Sequence, residues 1–168
     1  EGYVIETGYA NSTGGRRPLI FSLNTHVMYT VSIAMDQFVT RMVIMDMQNK
    51  YVTDIEKFEL NLYQNKNALS LLADKINSFI EGAPVDRKKI VGIGIGMPGF
   101  VDVKKGLNYS LLFSNNQSIP EYISKKINIP VFIDNDSSLI ALAELRLGSA
   151  HDRKNVMVIN IGWGVGLG

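Results

Sequence analysis

The sequence predicts an α/β fold, a mixed sheet with flanking helices in the order β-β-β-α-β-α-β-α-β, and three observations carry that prediction. β-Branched and methionine-rich runs crowd residues 27–60. Two later segments repeat apolar residues at helical spacings of three and four. Finally, three apolar runs each end in a turn rich in glycine, carboxylate or amide groups.

The elements follow in chain order. Residues 1–17 read as a polar, glycine-bearing lead-in, a linker or the end of another module. Residues 27–35, 39–47 and 51–60 are three strands, close enough in sequence to be antiparallel neighbours, with Gln48 and Asn49 turning the chain between the last two. Leu69, Leu72, Ile76 and Phe79 mark a helix over 67–81, with Gly82 as its C-terminal cap. Residues 90–95 form a strand that runs into Gly96-Met97-Pro98-Gly99, where Pro-Gly requires a turn with positive φ at Gly99. Ile119, Ile123 and Ile127 define a short helix, and residues 129–133 the next strand. Leu139 to Leu147 is apolar on more than one face, which predicts a buried helix ended by Gly148. Residues 155–161 form a last strand, which enters the glycine-rich string 161–168.

Composition narrows the function. The 168 residues suit about one domain, and 46% hydrophobic with 20% charged residues is a globular balance. A net charge of +1 argues against a basic nucleic-acid surface, and the absence of cysteine removes disulfides, thiolate zinc sites and cysteine nucleophiles. No apolar run approaches a membrane span and the first residues lack a signal-peptide pattern, so the expected location is cytoplasmic.

The chemistry concentrates at Asp134, Asn135 and Asp136. In open α/β sheets ligands bind beyond the carboxyl ends of strands, and two carboxylates with an amide suit the hydroxyls of a polyol such as a sugar. The same residues also fit a helix start, with Asp136 or Ser137 as N-cap. No residue pattern predicts a metal site.

Taken together, the motifs resemble the ROK family of bacterial repressors and sugar kinases. The likeness rests on G-I-G-I-G-M-P-G-F-V-D at 92–102, P-V-F-I-D-N-D-S-S-L-I-A-L-A-E at 130–144, I-N-I-G-W-G-V-G-L-G at 159–168 and S-T-G-G-R-R-P at 12–18. It implies an actin/hexokinase-like (ribonuclease H-like) lobe, with Gly99 lining a sugar pocket and Asn135 and Asp136 bonding sugar hydroxyls. In the kinases the equivalent of Asp136 is the base that prepares the hydroxyl for phosphoryl transfer, as that reaction requires. Kinases of the family also carry D-x-G-G-T-K in the first hairpin. Here one register puts Ala34 at that Asp and Asp36-Gln37 over the glycines; the other, beginning at Asp36, leaves Phe38 and Val39 in their place. The resemblance makes residues 162–168 a second phosphate-binding turn, which retains Gly162 and Gly164, but Trp163 stands where the kinases have a small hydroxyl residue.

The resemblance therefore implies a sugar-sensing effector domain of a transcriptional repressor without kinase activity, Asp136 being a ligand and no longer a catalyst. Residues 1–17 are expected to be the remnant of a DNA-binding wing, 18–154 the N-terminal lobe and 155–168 the start of a truncated second lobe. The implied partners are a monosaccharide or sugar phosphate inducer, DNA through an upstream winged helix-turn-helix, and a second copy of the chain. No cofactor is expected in this chain, although full-length members of the family can hold zinc. The alternatives are a truncated sugar kinase and a dimerisation or docking module with a vestigial pocket.

Overall fold

The computed structural model describes residues 2–11, 14, 16–112 and 114–168. Its elements are β1 (Val4–Tyr9), β2 (Leu19–Leu23), β3 (Tyr29–Met35), β4 (Val39–Asp46), β5 (Glu56–Glu59), α1 (Ala68–Gly82), β6 (Ile90–Met97), β7 (Val101–Asp102), β8 (Leu107–Asn108), α2 (Ile119–Ile127), β9 (Val131–Asn135), α3 (Asp136–Leu147), β10 (Ile159–Ile161) and β11 (Val165–Leu167). The central sheet has the order β5-β4-β3-β6-β9. β3, β4 and β5 form the expected antiparallel meander, and β6 and β9 continue it in parallel with β3. The carboxyl ends of β3, β6 and β9 therefore share one edge, and the predicted site residues lie there.

Alternation decides which face holds the core. Val31, Ile33 and Met35 of β3 and Met42 and Ile44 of β4 are buried on one face, which α1 and α2 cover. α1 contributes Leu69, Leu72, Ile76, Phe79 and Ile80 at helical spacing, and α2 contributes Ile119, Ile123 and Ile127. Each such side chain, fully removed from water, stabilises the fold by about 2 kcal/mol before entropy is counted. Caps bound α2 at both ends: Ser118 accepts from the Glu121 N–H, and Asn128, left-handed at φ 59°, ends the helix.

One polar group in this core has no partner. Thr40 is fully buried, and its Oγ1 makes no hydrogen bond among the described residues. Thr40→Val keeps the shape and removes the orphaned hydroxyl, so it is expected to stabilise the chain by about 1 kcal/mol, read as a raised urea midpoint at unchanged m value. A lowered midpoint would show that the hydroxyl is satisfied.

Several expectations require correction. The lead-in contains β1, which pairs antiparallel with β2 across a bulge between Glu6 and Gly8. Ser12, Thr13 and Gly15 of the 12–18 string lie outside the described residues. The third strand is confined to Glu56–Glu59, because Tyr51 makes only an isolated bridge to Met45 and the Thr53 hydroxyl accepts from the Ile44 N–H in place of a strand neighbour. α1 is capped at Ala83 instead of Gly82. α3 begins at Asp136, and only its Ser137 is buried, while Leu142 and Leu147 are exposed. A helix apolar on several faces needs cover on several sides, and here β6, β9 and the β10–β11 hairpin lie against it while its other faces stay open among the described residues. The final strand is shorter than 155–161 and pairs with β11 alone, outside the central sheet.

Candidate functional site

The turn after β6 is held from two sides. Gly99 adopts φ +95°, a conformation suited to glycine, and a Cβ there would lie 2.9 Å from the Ser110 Cβ. The buried side chain of Asn108 donates to Pro98 O at 2.8 Å and accepts from the N–H groups of Ser110 and Leu111, both at 3.0 Å. From the other side, Asn135 Nδ2 donates to Gly99 O at 3.0 Å. Gly99 and Asn135, 36 positions apart, are thus brought into direct contact.

Asn135 also begins α3. Its Oδ1 accepts from the N–H groups of Ser137 and Ser138 at 3.0 and 3.1 Å, so Asn135 is the N-cap in place of the expected Asp136 or Ser137. A carboxamide does both jobs because it accepts at one end and donates at the other. Asp136 is then the first helical residue, favoured there by the helix dipole. Its Oδ1 accepts from Ser137 N at 2.8 Å and from the Ser137 hydroxyl at 3.3 Å; its Oδ2 has no protein partner among the described residues. Asp134 Oδ1 accepts from Asn135 N, which leaves its other oxygen open as well.

Asp134 and Asp136 line an open groove of about 930 Å³ on the sheet surface opposite α1, and Asn135 and Gly99 stand beside it. Small residues form the middle of its floor, where Ala34 of β3 lies beside Gly96 of β6, and Gly96 lies beside Asp134 of β9. Gly96 lies close under α3: a Cβ there would come within 2.9 Å of the Leu139 Cδ1, which would have to turn aside. The charged side chains lining the groove are Asp36, Arg41, Asp134 and Asp136, an acidic set. Among the described residues, no three His, Cys, Asp or Glu stand in a metal-holding group, and no helix is long and apolar enough to cross a membrane.

The β3–β4 turn is closed on itself. Asp36 Oδ1 accepts from the N–H groups of Phe38 and Val39 at 2.8 and 2.7 Å, and its Oδ2 is bridged by Arg41 at 3.1 Å. Partial burial pushes the Asp36 carboxyl up, but the two N–H groups and Arg41 outweigh it and hold the group below its ordinary value. At the far end of β4, Asp46 is also held low, chiefly by the Lys50 N–H and then by that of Gln48 against the opposing effect of desolvation. Depressed carboxyl values mean stability that is complete above about pH 4 and is lost as pH falls through the folded values. The melting temperature is therefore expected to fall below about pH 4, and Asp36→Asn to flatten that fall; an unchanged acid limb in the variant would refute the assignment.

At the β10–β11 turn, Gly162 N donates to Gly164 O at 2.9 Å. The Trp163 ring packs edge-on to Phe38 with centroids 5.0 Å apart and an interplanar angle of 76°. The hairpin is seated on α3: Asn160 Nδ2 donates to the Ser137 hydroxyl at 3.4 Å, and Gly166 and Gly168 leave no room for a Cβ beside Ser137. The predicted residues Gly99, Asn135 and Asp136 thus form one corner, while Ala34 lies near the end of β3 and Asp36, Gly162 and Gly164 belong to adjoining turns. Asn108, Asn160 and the Phe38–Trp163 contact were not legible beforehand; an Asn just after a glycine turn was the available signal for Asn108.

Comparison with known proteins agrees with this architecture. The chain is 31% identical over its whole length to the xylose repressor of Caldicellulosiruptor bescii, of which it covers 43%. It spans under half the length of the curated repressors it matches. Among solved structures, a ROK family transcriptional regulator described as a homologue of the Escherichia coli MLC protein superposes with a TM-score of 0.75 at 20% identity, over 99% of this chain and 43% of that one. The ROK hexokinase of Thermus thermophilus superposes with a TM-score of 0.66 at 21% identity, over 84% and 45%. Both share the actin/hexokinase-like fold. With a mixed sheet of that fold, and with the ROK family model matching residues 40–168, the chain belongs to the ROK family.

Proposed function

We propose that this chain forms one half of the sugar cleft in the effector domain of a ROK-family transcriptional repressor, and that it senses a sugar without phosphorylating it. The observation that carries the reading is the corner itself: Asn135 joins Gly99 to α3, and Asp136, with one carboxylate oxygen unpaired among the described residues, lines the groove beside it. An ionised carboxylate with one unengaged oxygen accepts hydrogen bonds from sugar hydroxyls. Whole-chain similarity to xylose repressors supports a pentose or hexose as ligand and DNA as the partner of the intact protein, through an upstream winged helix-turn-helix. The same reading places the intact protein in the cytoplasm as a homo-oligomer, with zinc held, if anywhere, outside this chain.

The test is calorimetry on the full-length protein with D-xylose and D-glucose. Asp136→Asn is expected to weaken the bound sugar about tenfold, the loss of one charge-assisted hydrogen bond. Unchanged affinity in the variant removes Asp136 from the site. The likeness to a ROK hexokinase gives a second reading, a sugar kinase, and the motif resemblance that puts Asp136 at the position of the family's base favours it. Asp36 opposes it, because its carboxylate is engaged with its own turn and with Arg41. ATP-dependent turnover of either sugar by the full-length protein would decide for the kinase.

A further inference from the structure

The Phe38–Trp163 contact joins two turns that come from distant parts of the chain. Phe38 projects from the β3–β4 turn, and Trp163, the chain's single tryptophan, from the β10–β11 turn. Three further features converge on the same place. The N–H groups of Phe38 and Val39, which an anion bound at that turn would need, are both donated to the Asp36 carboxylate. On the opposing turn, the Gly162 N–H is likewise engaged, by Gly164 O. The adjoining groove presents Asp36, Asp134 and Asp136 against the single cation Arg41, itself paired with Asp36. An internal carboxylate therefore occupies the donors of one turn, the Phe38–Trp163 contact bridges the two turns, and the surrounding field repels further negative charge.

We propose that Phe38 and Trp163 form an aromatic plug that determines the ligand class of the cleft by excluding the phosphates of a nucleotide. The admitted ligand is a neutral polyol at the Gly99, Asn135 and Asp136 corner, and that part of the inference rests on the function proposed above. The exclusion rests only on the two turns. Placement of the plug follows from the seating of the hairpin: Asn160 on the Ser137 hydroxyl, and Gly166 and Gly168 against Ser137, fix β10 and β11 on α3 so that Trp163 reaches Phe38.

The experiment is titration of the full-length protein with magnesium-ADP, in wild type, in Trp163→Ser, and in a variant combining Trp163→Ser with Phe38→Gly and Val39→Gly. The combined variant is expected to bind magnesium-ADP at least about tenfold more tightly than wild type, and Trp163→Ser to fall between them. Trp163 is largely exposed, so its single replacement tests the plug even if the combined variant does not fold. Wild-type binding as tight as that of the variants, or no gain in a variant that melts like wild type, overturns the proposal. D-Xylose and D-glucose titrated into the same samples keep the two ideas apart: no sugar heat in any form removes the sugar reading, while the nucleotide data alone decide on the plug.

Discussion

Gly99→Val is expected to lower the stability of the chain by about 3 kcal/mol and to abolish sugar binding by the full-length protein. Two effects add at this position. The backbone stands at φ +95°, where a β-branched residue is strained, and the new Cβ would meet Ser110 Cβ at 2.9 Å and Asn108 Oδ1 at 3.3 Å. Neither neighbour yields easily. Ser110 Oγ accepts from Phe100 N at 2.9 Å, and the buried Asn108 makes three hydrogen bonds. The turn would have to move, taking Gly99 O away from Asn135. A urea midpoint within experimental error of wild type, with sugar heat intact, would show that the turn relaxes freely and is no part of the corner.

The features that were legible in the sequence are those set by short-range patterns. The β-rich runs that become β3 and β4, the spacing of α1 and the isoleucines of α2 are each local signals, and the structure keeps all of them. The corner was legible because Pro98-Gly99 requires a turn and because polar residues directly follow an apolar strand. The burial of α3 was not. Its hydrophobic residues describe what the helix needs around it, and a sequence does not say which of those neighbours the same segment supplies. The N-cap was misplaced by one residue for a related reason: Asn135, Asp136 and Ser137 are all good caps. The choice depends on Gly99 O, 36 residues away, which only a carboxamide at 135 reaches as a donor. β1 and β10 were misjudged because both pair in two-stranded ribbons and expose apolar side chains such as Tyr9 and Ile161. Burial pattern carries no signal in strands of that kind.

The dual engagement of Asn135 makes it the most informative position to alter. Asn135→Ala removes the cap on α3 and the bond to Gly99 together, and is expected to cost about 2 kcal/mol and to eliminate sugar binding. Asn135→Asp separates the two roles. A carboxylate still accepts from Ser137 and Ser138 and suits the helix N-terminus, so the helix is expected to keep most of its stability. It has no N–H for Gly99 O, however, and it adds a third negative charge beside Asp134 and Asp136. Sugar calorimetry on both variants therefore separates two explanations, with urea unfolding reporting the cap. If Asn135 serves only as a cap, Asp behaves like wild type in both measurements. If it holds the corner together, Asp retains most of the unfolding free energy and loses the sugar, because the geometry that aligns Asp136 with the Gly99 turn depends on a donor that a carboxylate lacks.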